Sequence, residues 1–453
     1  MSASVEQLLA QHEGKTLEFK ACLAESMPFL KTLVAFANSA GGTIVFGVED
    51  KTRRVLGVDD PLGLEARITN LVSDAVRPRL LPDIEIHPWR RTYLVVVRVH
   101  PSPVMPHYVK ALGQVNGVFI RVGSSSRQAD QTILDEMRRM AARRSFDEEP
   151  LPDLDSEAID FRVASELFGS IRRLSRRDLE VLGLTVRHRS KKVATVGGIL
   201  LFGKDRLRLF PDAYLQAARF GGTDRTYIQD TVDFAGPLPA LGEQAIGFLR
   251  KHEPVALEIN ASRHQERWPV PLVALREALI NSLVHADYSQ RGAPIRLAVF
   301  DDRIEVENPG LLPFGLTIED IRAGVSKLRN RVIGRVFKEL GLIEQWGSGI
   351  SRMIAACNEA GLLEPVFEEV GLHFRVTLYK TPMPIERPDP IEEAILKLLA
   401  HGSGHTTAQV AKEIGRTPRA TRARLASMVA RGLVREIGRG PQDPKRKYFV
   451  VKK

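Results

Sequence analysis

Within Arg276-Glu277-Ala278-Leu279-Ile280-Asn281-Ser282-Leu283-Val284-His285-Ala286-Asp287-Tyr288, the residues Glu277, Asn281 and His285 recur at every fourth position. On a helix this spacing stacks a carboxylate, an amide and an imidazole on one stripe, each a turn above the last. Leu279, Ile280, Leu283 and Val284 suit the buried side of the same helix. A stripe of this kind is a poor apolar interface and a good edge for a metal nucleotide. An Asn side chain supplies a carbonyl oxygen for a hard cation such as Mg2+, and a Glu one turn earlier can orient or deprotonate a water. A half-exposed helix shows solvent the same stripe, so spacing alone leaves both readings open.

The downstream order adds constraint. A strand-like run, Ile295-Arg296-Leu297-Ala298-Val299-Phe300, passes through Asp301-Asp302-Arg303 into Ile304-Glu305-Val306-Glu307-Asn308-Pro309-Gly310. Glu344-Gln345-Trp346-Gly347-Ser348-Gly349-Ile350 then opens a helix. A Glu-x-x-x-Asn helix, a strand pair, an acidic Asn-Pro-Gly turn and a Gly-x-Gly before a helix, in that order, resemble the GHKL-type ATP-binding domain of gyrase B, histidine kinases and MutL. The closer likeness is to its divergent branch in bacterial transcriptional regulators of the RecG-like, or "divergent AAA", group. The resemblance spans roughly residues 256–380. It implies ATP and Mg2+ as ligands, Glu277 as the water-activating base and Asn281 as the metal ligand, with His285 on the same nucleotide-facing stripe. It also implies that Glu307, Asn308 and Gly310 form the adenine-reading turn. Gly347 and Gly349 fall at the phosphate-side glycines, where bare backbone lets N–H groups reach an anion. The usual Asp-x-Gly-x-Gly is replaced by Glu-Asn-Pro-Gly, so the adenine-reading residue is either Glu307 or Asn308, and turnover of the nucleotide is left open. In the lid between the motifs, Lys327, Arg329 or Arg331 could pair with phosphates, Arg329 with a fork matched to them; an exposed basic loop is the plainer alternative.

At 453 residues the chain holds about three or four domains of ~100–200 residues. The expected class is α/β multidomain, divided at 1–145, 150–255, 256–380 and 385–453. No apolar run approaches the ~20 residues of a membrane span, and Met1-Ser2-Ala3-Ser4-Val5-Glu6 lacks a signal-peptide pattern. The two cysteines, Cys22 and Cys357, lie far apart without metal-ligand spacing. These features predict a cytoplasmic protein with reduced thiols and no membrane partner.

In the first 145 residues, Glu18-Phe19-Lys20, Ala35-Phe36-Ala37-Asn38-Ser39-Ala40-Gly41-Gly42, Phe46-Gly47-Val48-Glu49-Asp50 and Arg121-Val122-Gly123-Ser124-Ser125-Ser126-Arg127 occur in order. Together they resemble the AlbA_2, or Schlafen-like, domain. That likeness implies nucleic-acid binding, RNA as well as DNA. Through animal relatives that are metal-dependent RNA nucleases, it also implies a candidate trio of Glu13, Glu18 and Asp50, with Glu49 as the alternative third member. Three carboxylates could hold a divalent ion for phosphodiester hydrolysis; the plainer reading makes Glu18 a strand-edge fold signature and Glu13 a solvated charge. Arg121, Arg127, Arg138, Arg139, Arg143 and Arg144 are candidate phosphate contacts. Phe146–Asp153 reads as an acidic, proline-containing linker. Residues 150–255 read as a small α/β connector, with strands at 196–203 and 214–220 and no visible chemistry.

The formal net charge is +10, and residues 385–453 carry 15 Lys/Arg against 7 Asp/Glu. This tail reads as a helix from Ile391, a second from Thr406, a turn at Gly415, a third with Pro418 in its first turn, then a hairpin with a basic tip. The pattern resembles a winged helix-turn-helix. Its third helix would enter a major groove, with Thr417, Arg419, Thr421, Arg422 and Arg424 facing DNA. Arg439, Lys445, Arg446 and Lys447 of the wing would neutralise phosphates. The sequence therefore predicts a DNA-binding transcriptional regulator with an ATP-sensing domain, bound to double-stranded DNA as a homo-oligomer. The alternatives are a Schlafen-like nuclease gated by ATP, in the setting of phage defence, and a GHKL-type ATPase acting on DNA or a protein partner.

Overall fold

The computed structural model describes residues 4–450 other than 51, 255, 261–262, 344–346, 383–388, 401–403, 431–432 and 438–445. The chain divides into two compact units, Met1–Pro382 and Met383–Lys453.

The first unit begins with a four-stranded sheet in the order Leu17–Lys20, Gly42–Phe46, Thr92–Val99, Asp83–Trp89. The first pair is parallel and the others antiparallel. Helix Ser26–Ala37 is buried along most of its length, with Phe29, Leu33, Val34 and Phe36 fully enclosed. A hairpin, Phe119–Val122 with Ser125–Gln128, leads to helix Gln131–Ala141, whose N-cap Asp130 accepts from Ile133 N at 2.9 Å.

The centre of the unit is a six-stranded sheet in the order Ile228–Phe234, Leu215–Phe220, Ile295–Val299, Arg303–Pro309, His373–Tyr379, Val366–Val370. Leu215–Phe220 pairs in parallel with Ile295–Val299. The boundary expected near residue 255 therefore cuts through one sheet, and part of the presumed connector shares it with strands from residues 295–379. Helices Leu238–His252, Leu272–His285 and Gly349–Glu359 share a single apolar core with this sheet.

Two further expectations are corrected. Val196–Phe202 is a helix, not a strand, with all seven residues buried and Thr195 Oγ1 accepting from Gly198 N at 3.0 Å. A continuous apolar run has no period with which to separate a buried helix from a buried strand. Its glycines permit contact that a side chain would block: a Cβ on Gly198 would lie 2.2 Å from Leu184 O.

The presumed linker is also structural. Pro150–Asp155 pairs with Lys191–Thr195. Asp147 is fully buried and accepts from Arg331 N at 3.1 Å and Ile333 N at 2.9 Å, at the start of helix Arg331–Glu339. Backbone donors at a helix start need acceptors, and here a residue 184 positions earlier supplies them.

The second unit is a three-helix and wing arrangement. Helix Pro390–Leu399 starts at an Asp389/Glu392 capping box and helix Thr407–Glu413 at a Thr406/Gln409 box. Helix Pro418–Ala430 follows, then strands Val434–Ile437 and Lys447–Val450. Ile395, Leu399, Val410, Leu425, Met428, Val434 and Tyr448 form its core.

Burial pushes the Asp147 carboxyl from its ordinary 3.8 up to about 6, against the pull of the Ser145 hydroxyl and two backbone N–H groups. The folded chain thus holds this proton more tightly than the unfolded chain. The group's contribution to stability is fullest below about pH 4, falls as pH rises to about 6, and is flat above. Asp147→Asn is expected to remove that slope, worth on the order of 3 kcal/mol. Thermal midpoints of both proteins across pH 4 to 8 check it; parallel profiles contradict it.

Candidate nucleotide cleft and nucleic-acid interfaces

One cleft draws together segments far apart in sequence. Its floor is Val306 and Asn308 of one strand with Phe374 and Val376 of the next. Helix Leu272–His285 forms one wall through Glu277, Asn281 and His285; helix Gly349–Glu359 forms the other through Gly349, Ile350 and Arg352. The roof is the segment from Leu311 to Leu328, which contains the capped helix Ile318–Arg322.

The strand's two-residue period decides between the two candidates for the adenine position. Val306 and Asn308 face the cleft. Glu307 is on the opposite face, where Arg375 Nη2 and Nε donate to it at 2.7 and 2.9 Å and Arg296 lies 3.8 Å away. Glu307 is therefore not a cleft residue. The signal was present in the sequence: Ile304 and Val306 share the parity of Asn308, so an inward apolar pair places Asn308 inward too. Asn308 is buried, and its amide Nδ2 donates to Pro309 O at 3.0 Å. That bond leaves Oδ1 as the group available to accept.

The glycines matter by what they lack. A Cβ on Gly349 would stand 2.4 Å from Glu277 Oε2 and 3.5 Å from Asn281 Nδ2. Gly347 has φ +67°, and a Cβ there would meet Gly324 O at 2.3 Å. Gly310, at φ +99°, gives way to Asp287 and Arg329. Trp346, between the lid and these glycines in sequence, lies outside the described residues.

Electrostatics narrow the roles. Arg352 Nη2 sits 2.7 Å from Glu277 Oε1. The sequence reading missed Arg352, although a residue three beyond Gly349 shares its helix face. Burial, then the charge of Arg329, lowers the His285 pKa to about 4, so its imidazole is neutral near pH 7. Lys327 lines the roof and donates to Phe314 O at 2.9 Å. Arg329 is absent from the lining: its guanidinium is buried against Glu136 and Leu311 O. Arg331 donates to Arg143 O at 2.7 Å.

In the N-terminal domain, Glu13 has Asp50 and Glu18 as charged neighbours. Burial first, then Asp50 and Glu18, raises the Glu13 carboxyl, which accepts from Phe19 N at 2.6 Å. Glu18 is consumed by ion pairs, with Arg121 Nη1 at 2.6 Å and Lys20 Nζ at 2.7 Å. Among the described residues no group of three His, Cys, Asp or Glu side chains is arranged to hold a metal. Arg121 is a buried structural residue, not a phosphate contact: it also donates to Gly14 O at 2.9 Å and Ser126 Oγ at 3.1 Å. Arg127, Arg143 and Arg144 do reach solvent, whereas Arg139 lies over the Phe146 ring and Arg138 pairs with Asp135.

On the third helix of the second unit, Thr421, Leu425 and Met428 form the inward stripe. Thr421 is thus a core residue, which corrects its expected place on the DNA face. Thr417, Arg419 and Arg422 are exposed, while Arg424 is tied to Asp389. On the wing, Lys447 is exposed and Arg446 pairs with Glu436 at 2.6 Å. Arg439 and Lys445 lie outside the described residues.

Comparison with known proteins gives three matches along the chain. Residues 13–130 match the family model described as Schlafen, AlbA_2. Residues 292–378 match that of the putative ATP-dependent DNA helicase recG C-terminal domain. Residues 388–435 match that of the winged helix-turn-helix DNA-binding domain. The chain is thus an α/β multidomain protein with a Schlafen-like AlbA_2 domain, a RecG-type HATPase domain and a C-terminal winged helix. The helix bearing Glu277 and Asn281 precedes the second match, so their place at the cleft rests on geometry. A search of curated proteins finds no match. Among solved structures, the DIP2311 protein of Corynebacterium diphtheriae is similar at 20% identity and TM-score 0.43, over 99% of this chain and 96% of that one. The N-terminal domain of a putative ATP-dependent DNA helicase RecG-related protein from Nitrosomonas europaea is similar at 25% identity and TM-score 0.24, covering 28% of this chain and 95% of that one. Among the described residues no helix is long and apolar enough to cross a membrane.

Two substitutions test these assignments. Gly349→Ala should leave the fold intact, because the Glu277 side chain can swing aside, yet abolish a nucleotide-induced thermal shift; an undiminished shift contradicts the cleft. Glu18→Ala strands the buried Arg121 and should lower stability by about 3–5 kcal/mol, read as an earlier first unfolding transition by circular dichroism.

Proposed function

We propose that the chain is a DNA-binding transcriptional regulator whose HATPase domain senses an adenine nucleotide. The observation that carries this reading is the convergence of Glu277, Asn281, Asn308 and Gly349 on one cleft, from three elements of the domain. The cleft suits such a ligand. Val306, Val376 and Phe374 offer a flat apolar floor for a base, and the Asn308 Oδ1 accepts from an exocyclic amino group. Gly349 leaves beside Glu277 and Asn281 a space that a Cβ would fill, and the start of its helix adds backbone donors for phosphate. Asn281 is the amide placed to ligate Mg2+, and bound Mg2+ would neutralise phosphate charge at that end.

Sensing is favoured over turnover because Glu277 is paired with Arg352. A guanidinium holding the carboxylate disfavours its taking a proton from water. This same pair weighs against an ATPase acting on DNA or a protein partner, and the ion pairs of Glu18 weigh against the nuclease alternative. Exposed Arg419 and Arg422 on the third helix, with Lys447 on the wing, support contact with duplex DNA. Two-fold operators favour a homo-oligomer, and a regulator of this kind works in the cytoplasm.

ATP with Mg2+ should raise the thermal midpoint of the full chain, by the equivalent of about 2.7 kcal/mol at a hundredfold excess over Kd. Asn281→Ala should erase the shift; an equal shift in the variant, or none in the wild type, refutes the sensor. Arg419→Ala with Arg422→Ala should weaken duplex binding and lower the salt slope by about one unit per residue. Unchanged affinity would remove the winged helix as the DNA-binding element.

A further inference from the structure

The cleft has a volume of about 130 Å3, against the ~300–1,000 Å3 of typical ligand pockets. The cleft is partly open to solvent, and a raised roof would favour seating a whole nucleotide in it. Both roots of that roof are held by the N-terminal domain.

At the first root, Phe314 is buried in a cluster with Ile120, Ile133, Leu134 and Met137, and Leu311 packs on the same cluster. Gly315 N donates to Ser39 O at 3.1 Å. Glu369 Oε1 accepts from Leu312 N at 2.9 Å and from Lys15 Nζ at 2.6 Å. At the second root, Arg329 pairs with Glu136 of helix Gln131–Ala141 and spends its other terminal nitrogen on Leu311 O, which bridges the two roots. The Arg329 side chain is 8% exposed, and its only other carboxylate neighbour among the described residues, Asp287, is 4.0 Å away. Lys327 adds a bond to Phe314 O and reaches Met140 of the same helix.

We infer that Glu136 is a positioning residue of the nucleotide cleft: through Arg329 it holds the roof down, so that the N-terminal domain sets how readily a nucleotide is admitted. This rests on the nucleotide-sensing reading. It goes beyond it by making the AlbA_2 domain a controlling part of the site. A binding-competent state populated only fractionally lowers apparent affinity by that fraction. Linkage is reciprocal, so a nucleotide that lifts the roof also loosens helix Gln131–Ala141, and any nucleic acid that draws this helix away raises nucleotide affinity by the same factor.

The test uses the full chain and ATP with Mg2+. By calorimetry, Glu136→Gln should bind ATP about tenfold more tightly than wild type. Because Glu136 acts through Arg329, adding Glu136→Gln to an Arg329→Gln background should change the Kd no further. A merely structural role predicts weaker binding, and that result, or an unchanged Kd, overturns the inference. Hydrogen exchange on the wild type decides the matter even where a variant does not fold. ATP should speed exchange in residues 131–141 and 311–316; ATP binding with exchange there unchanged or slowed overturns it. If wild type binds no ATP at all, the sensor reading falls and this inference with it, an outcome distinct from binding without release of the helix.

Discussion

Helices Leu272–His285 and Gly349–Glu359 approach each other where Gly349 has no side chain, and that missing Cβ leaves room for the Glu277 carboxylate. With one, the Glu277 carboxylate would be displaced, because the two groups would overlap at 2.4 Å. Without it, an acid and an amide on one helix come to lie beside the first turn of the other, over a floor of apolar strand residues. The polar stripe can be tolerated in a mostly buried helix because its far side, Leu275, Leu279 and Leu283, packs into the main core. Burial of that apolar face stabilises the helix, and the stripe faces the cleft.

Much of this was legible from sequence, for identifiable reasons. The helix at 272–285, the helix after Gly347-Ser348-Gly349 and the three helices of the tail all declare themselves by local signals: four-residue spacing, capping boxes, a first-turn proline. Local signals failed where the structure is decided by distant partners. The run Val196–Phe202 is apolar throughout, so nothing in it encodes a period. Leu215–Phe220 is visibly a strand, but its parallel partner Ile295–Val299 lies 80 residues away, and no pattern within either strand announces the pairing. Asp147 looked like a charge in a linker because its hydrogen-bond donors come from 184 and 186 residues later.

The site itself divides in the same way. Glu277, Asn281 and Gly349 were picked out from spacing and order, and all three line the cleft. The choice between Glu307 and Asn308 could have been made from strand parity alone. Arg329 could not have been assigned from sequence: a basic residue in a lid reads as a phosphate ligand, and only tertiary packing reveals that Glu136 already occupies it. Thr421 was misplaced because hydroxyl-bearing residues are counted as surface by default, whereas its position four before Leu425 puts it on the inward stripe.

The reach of Asp147 has a practical side. A fragment cut where composition invites it, between 145 and 150, would carry helix Arg331–Glu339 into solution stripped of the acceptor for its opening amides. The residues between the first and second homology segments are therefore part of the second segment's support, not a spacer between the two.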